Sequence, residues 1–220
     1  MSKAQKLQSR KWLDAAKCKK LQKKWGLDYD EFVRNPNKEN KVAVIKALND
    51  IVGKLDKGGT VLEVGCGAGH FMWVIKDKVS NLIGLDYSPH MLNLTRDQFS
   101  KVGLKPKLKL GSCWKLPFPL NHVDFSFNID VNMHVGGSWE AIREMIRVSR
   151  QYILFTGPSF GLFTGMMDQK LKRGKRWSIS LPLLEAELKK LQKEKIIVDY
   201  YFLDRTPTRW FNHKILVIKK

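Results

Sequence analysis

The sequence predicts an α/β protein with a mostly parallel sheet and helices on both faces. Short β-branched runs alternate with helical stretches from Thr60 onward, a Gly-rich turn directly follows the first run, and two closely spaced strand-like runs lie near the last residue. The runs are Thr60 to Val64 with a helix to Lys78, Asn81 to Leu85 with a helix to Val102, Lys107 to Leu110, Val123 to Phe127 with a helix to Val148, and Tyr152 to Thr156. A Gly- and Lys-rich loop comes next, then a helix over Leu181 to Lys195 and the runs Ile196 to Leu203 and Phe211 to Ile218, which read as an antiparallel pair at one edge.

Before Thr60 the pattern is helical. Ala4, Leu7, Leu13, Ala16 and Leu21, with Trp12 and Trp25, recur at helical spacing between lysines, so Ser2 to Lys24 reads as an amphipathic helix lying as a lid on the main body. Gly26 to Lys38, with Pro36, reads as a loop. Val42, Val44, Ile45, Leu48, Ile51 and Val52 then form one stripe of a helix over Lys41 to Leu55. These boundaries divide the chain into an N-terminal helix and cap, 1–38, and a main domain, 39–220.

At 220 residues and 43% hydrophobic, the chain can bury one substantial core. It has no run approaching the roughly 18 to 20 apolar residues of a membrane span and no apolar core of a secretory signal, so the expectation is a soluble, cytoplasmic protein. Cys18, Cys66 and Cys113 show neither CxxC spacing nor a partnering His cluster, which argues against a disulfide framework or a metal site. The net charge of +19 is concentrated: residues 1–24 carry nine basic and one acidic side chain and residues 161–220 fourteen and six, so +16 of it sits in the two ends. Such a field attracts anionic partners, nucleic acid or phosphorylated metabolites among them, and also suits a solvated surface.

The chemistry-bearing stretch is Val61-Leu62-Glu63-Val64-Gly65-Cys66-Gly67-Ala68-Gly69-His70-Phe71. A strand that ends in a glycine loop and opens a helix lets backbone N–H groups approach a nucleotide-like ligand where a Cβ would block it. Asp86 ends the second strand about 20 residues after the first glycine, the separation at which a carboxylate reaches a bound ribose. Dinucleotide sites use GxGxxG, whereas here the third glycine falls at Gly69, three after Gly67 stands His70, and Glu63 precedes the first glycine by two.

This ExGxGxG pattern with Asp86 resembles the first two motifs of class I S-adenosylmethionine-dependent methyltransferases, in particular the ubiquinone/menaquinone-type small-molecule group, over roughly Gly59 to Pro158. The resemblance implies a Rossmann-like three-layer sandwich with a seven-stranded, mostly parallel sheet whose last strand is antiparallel, and S-adenosyl-L-methionine as cofactor. It implies that Glu63, Gly65, Gly67 and Gly69, with Cys66 as a small filler between them, surround the methionine part and that Asp86 binds the ribose hydroxyls. Tyr87 and Met91 would lie near the adenine. Ser112 and Cys113 occupy the third motif, where an Asp commonly stands at the place of Ser112. Asn128 and Ile129 match the segment beside the cofactor. Asp130 and His134 are the candidate catalytic groups, although Asn132 and Met133 replace the leucine and histidine usual beside His134.

No NPPY-like sequence follows the fourth strand, which argues against amide or adenine-amino methylation. The acceptor is expected to meet the loop after Thr156, where Pro158, Phe160, Phe163, Met166 and Met167 precede Lys170, Lys172, Arg173, Lys175 and Arg176. Apolar and cationic residues together suit a small-molecule or lipid-like acceptor with an anionic part. Methylation of RNA or protein through the basic ends, and cofactor binding without catalysis, are the alternatives.

Overall fold

In the computed structural model, which describes residues 13–14, 16, 18, 41–56, 59–157, 160–161, 167–170, 177–207 and 212–220, strands and helices alternate as the sequence predicts. The chain falls into two units, Met1–Cys113 and Trp114–Lys220. The expected lid helix and the loop after it lie outside the described residues, apart from Leu13, Asp14, Ala16 and Cys18.

The first unit opens with helix α1 (Val42–Val52), which turns Val44, Ala47, Leu48, Ile51 and Val52 inward at three- and four-residue spacing and ends at Gly53. Strand β1 (Thr60–Val64) is buried beyond its first residue, and helix α2 (His70–Ile75), shorter than expected, follows the glycine turn. Strand β2 (Asn81–Asp86) leads into helix α3 (Pro89–Ser100), where the Ser88 hydroxyl accepts the Met91 N–H and Pro89 takes a first-turn position that needs no N–H donor. Strand β3 (Lys107–Leu110) completes a parallel set in which β2 pairs with both β1 and β3. Cys66, Met72, Leu92 and Phe99 form a core cluster, with Trp73 meeting Phe99 edge-on at 5.2 Å.

Glu63 is the exception inside this core. Its side chain is 3% exposed, and its Oε2 accepts the Met72 N–H at 3.1 Å, fastening β1 to the first turn of α2. Burial pushes its carboxyl well above the ordinary range, opposed by the Met72 N–H and helped by the nearby Asp86 charge.

The second unit carries strand β4 (Val123–Ile129), the single-turn helix α4 (Asn132–Val135), helix α5 (Ser138–Val148) and strand β5 (Ser149–Thr156), parallel to β4. The sequence predicts one helix running to Val148; the structure splits it, because Gly136 and Gly137 both adopt positive φ, at 70° and 66°. Short strands β6 (Phe160–Gly161), β7 (Asp168–Lys170) and β8 (Trp177–Ser180) lie in the stretch expected to be a loop. At two to four residues each they are too brief to show an alternating pattern. Helix α6 (Leu181–Lys193) starts at a Ser180 cap, and strands β9 (Asp199–Pro207) and β10 (Asn212–Lys219) form the expected antiparallel pair, with β10 also antiparallel to β5. All seven expected strands are present, and the α/β class with a mostly parallel sheet and an antiparallel last strand is as predicted.

Arg147 ties α5 to the approach to β4: its guanidinium donates to the carbonyls of Phe118 (2.8 Å) and Leu116 (3.1 Å) and to both carboxylate oxygens of Glu144. The Arg147 guanidinium holds the Glu144 carboxyl below its ordinary 4.5.

Two expectations follow. The Arg147→Ala change should cost about 1–3 kcal/mol, because it strands two carbonyls and a carboxylate. Glu144 has a lowered folded pKa, so its share of the wild-type advantage is present above pH 4.5 and lost as pH falls through the folded value; urea titrations of both proteins at pH 7 and in acid should show the gap narrowing. Glu63 has the opposite sign. Above pH 4.5 the unfolded chain releases a proton that the folded protein keeps, so stability falls until the raised folded pKa is passed. Glu63→Gln preserves an acceptor for Met72 without the charge and should gain on wild type across that window. Stability curves that stay parallel from pH 4.5 to 8 would refute the assignment.

Candidate functional site

The first unit builds its site around the turn between β1 and α2. Gly65 N–H and Cys66 N–H both donate to the Leu85 carbonyl, at 2.7 and 2.9 Å, folding the turn back over the end of β2. Gly67 N–H donates to Asp86 Oδ2 at 2.8 Å, and the Thr95 hydroxyl donates to the Gly67 carbonyl at 2.9 Å. The other Asp86 oxygen accepts the Ser88 N–H at 2.8 Å. Burial pushes the Asp86 carboxyl up, against the N–H groups of Ser88, Gly67 and Tyr87 that pull it down. The carboxylate is half-buried, which leaves it able to take a further donor.

The glycines have distinct duties. Gly69 has φ 83°, and a Cβ there would come within 2.8 Å of the Thr95 side chain, so packing against α3 demands glycine. Gly67, at φ 54°, has nothing within 4 Å of where a Cβ would stand, leaving an open face at which a ligand can approach bare backbone. Gly65 shares the left-handed conformation, at φ 78°. Cys66 is buried, and burial raises its thiol well above the ordinary value, as befits packing and not nucleophilic duty.

The predicted site residues thus separate. Gly65, Cys66, Gly67, Gly69 and Asp86 are joined by the turn. Tyr87 is 40% exposed beside Asp86, while Met91 is 3% exposed on α3. Ser112 is half-buried and Cys113 buried, just beyond β3, where the Gly111 N–H donates to the Asp86 carbonyl. Glu63, expected near the methionine part, points its carboxylate at the first turn of α2. Two members escape sequence reasoning. Thr95 sits mid-helix, where nothing in its spacing betrays a bond to the glycine turn. Cys18 lies far off in sequence yet is buried with its Sγ 3.8 Å from Ser88 Oγ.

In the second unit, Asn128 and Ile129 are buried at the end of β4. Asp130 follows at φ 59°, a strained conformation for a residue with a side chain. Thr156 holds it there: the Asp130 N–H donates to Thr156 Oγ1 (3.0 Å), whose hydroxyl donates back to Asp130 Oδ1 (3.1 Å). His134 is half-buried on α4. Among the described residues no group of three or more His, Cys, Asp or Glu side chains is placed to hold a metal ion. Of the basic run expected near the acceptor, Lys172, Arg173, Lys175 and Arg176 lie outside the described residues, as do Pro158, Phe163 and Met166.

Known proteins resemble this chain in sequence and in fold. Residues 62–152 match the methyltransferase domain family. A probable S-adenosylmethionine-dependent methyltransferase of Mycolicibacterium smegmatis is 32% identical over 93 residues, 42% of this chain and 35% of that protein. A sterol 24-C-methyltransferase of Pneumocystis carinii is 32% identical over 95 residues, 42% of this chain and 25% of that one, so this chain spans only a minor part of these relatives. The crystal structure of magnesium protoporphyrin IX methyltransferase from Synechocystis with bound S-adenosylmethionine superposes with a TM-score of 0.67 at 16% identity, covering 100% of this chain and 98% of that one, and shows the shared fold. Residues 62–152 are therefore a methyltransferase domain of the class I, S-adenosylmethionine-dependent kind.

Proposed function

We propose that this chain binds S-adenosyl-L-methionine at the turn between β1 and α2 and transfers its methyl group to a small-molecule or lipid-like acceptor. The observation that carries the reading is the clasp of Gly67 N–H on Asp86 beside an open glycine face. The residues fit the cofactor: a half-buried carboxylate at Asp86 for ribose hydroxyls, and backbone that a ligand can touch without meeting a Cβ. A bound sulfonium supplies an electrophilic methyl, whose carbon–sulfur bond breaks, leaving the electron pair on sulfur, as the bond to the acceptor forms.

What the chain must then do is orient the acceptor and exclude water, which can lower a barrier by on the order of 7–11 kcal/mol. A hydroxyl acceptor also has a proton to lose. Asp130, fixed by Thr156, and His134 are the groups proposed to take it. Relatives named for sterol and porphyrin substrates support an acceptor with an extended apolar body, and the basic 170–176 stretch supports an anionic part. The +19 charge favours a second reading, methylation of RNA or protein, for which binding that weakens steeply with salt is the signature.

Calorimetry should show binding of S-adenosylmethionine and S-adenosylhomocysteine but not NAD. Asp86→Ala should weaken binding about 100-fold, since it removes charged hydrogen bonds worth roughly 1.5–3 kcal/mol each. A folded protein indifferent to both nucleosides at millimolar concentration would end the proposal. A methyl-transfer screen with labelled cofactor over metabolites, lipids, RNA and protein then identifies the acceptor.

A further inference from the structure

The second unit contains buried polar atoms that the fold itself does not satisfy. Asn132 is 0% exposed; its Nδ2 donates to the Gly136 carbonyl at 2.9 Å, but its Oδ1 has no partner. Asn128, four residues earlier and also 0% exposed, has neither Oδ1 nor Nδ2 paired. A buried amide left unpaired destabilises a protein, and an apolar side chain of the same shape avoids the penalty. The same stretch holds Asp130 in its strained conformation. Three unpaired atoms on two neighbouring asparagines mark a segment shaped for something other than stability of the free protein.

The surroundings indicate what that is. The Gly136 carbonyl that anchors Asn132 also accepts Trp114 Nε1–H at 3.1 Å, and a Cβ on Gly136 would lie 2.9 Å from the Trp177 ring. Asn132 is therefore held within the same contact network as two half-buried indoles. Gly136 and Gly137 both have positive φ, at 70° and 66°, so the backbone that anchors Asn132 ends α4 in a conformation few other residues adopt. Two of the three unpaired atoms are carbonyl oxygens, which demand a donor.

We propose that Asn132 is a specificity-determining residue of the methyl-acceptor site, its Oδ1 accepting a hydrogen bond from a hydroxyl or amine N–H of an acceptor whose apolar body lies against Trp114 and Trp177. The inference rests on the methyltransferase reading and narrows it to protic acceptors.

The test uses the full chain saturated with S-adenosylhomocysteine and two matched probe pairs, phenol with anisole and aniline with N,N-dimethylaniline. Wild type should bind each protic probe about 10-fold more tightly than its methylated counterpart, the worth of one hydrogen bond to a buried acceptor. Asn132→Leu should melt about 2–5 °C higher than wild type, keep its S-adenosylhomocysteine affinity, and reduce the preference to below about 2-fold. Asn132→Ala, which introduces no bulk, should lose the preference equally. Wild type without the preference, or either variant retaining it, overturns the proposal, as does an Asn132→Leu protein that melts lower. Failure of wild type to bind S-adenosylhomocysteine instead counts against the methyltransferase reading, and the melting comparison still decides whether the Asn132 oxygen is unpaired.

Discussion

A single carboxylate organises the first unit. Asp86 ends β2, yet both its oxygens are engaged by backbone N–H groups, Gly67 from the preceding turn and Ser88 from the approach to α3. Two loops that lead into different helices are thereby locked to one strand end. The bond to Gly67 holds a left-handed glycine whose open face would otherwise have no fixed direction, and Thr95 secures the same peptide from its carbonyl side. A site that must meet a ligand with bare backbone needs this kind of external bracing, because glycine supplies none of its own.

The turn and its acidic partner are legible in the sequence because spacing alone specifies them: a strand, three glycines at alternate positions and an aspartate one strand later have few other solutions. Direction is what spacing leaves out. Glu63 shares the motif, but residues alternate across β1, and its carboxylate turns to the Met72 N–H. Thr95 and Cys18 reach the site through tertiary packing, for which no local pattern exists. In the second unit the helix expected to run unbroken to Val148 gives way at Gly136–Gly137, a pair that periodicity passes over because the apolar stripe resumes at once in α5. Strands β6 to β8 are missed for a related reason: pairing with a neighbour, not their own composition, makes them strands.

The two units balance polarity against burial differently. In the first, each buried polar group of the turn has a partner, and the cost appears as carboxyls and a thiol displaced upward by burial. In the second, the amides of Asn128 and Asn132 leave lone pairs and hydrogens unmatched, and Asp130 adds backbone strain. A fold optimised only for stability would replace those asparagines with apolar residues. Under the proposed function, bracing in the first unit suits holding a cofactor in one way, and unsatisfied polarity in the second suits discriminating among acceptors.

The electrostatics of the turn bear on turnover under the proposed activity. Burial raises the Glu63 carboxyl and the Cys66 thiol, and the Asp86 charge adds to both. An acidic group in a desolvated turn forms a field that a cation relieves. S-adenosylmethionine carries a sulfonium and an ammonium against one carboxylate, whereas the thioether left after transfer has lost the sulfonium charge. The Asp86 charge therefore favours the proposed donor over its product, a preference that acts in the same sense as exchange of product for donor.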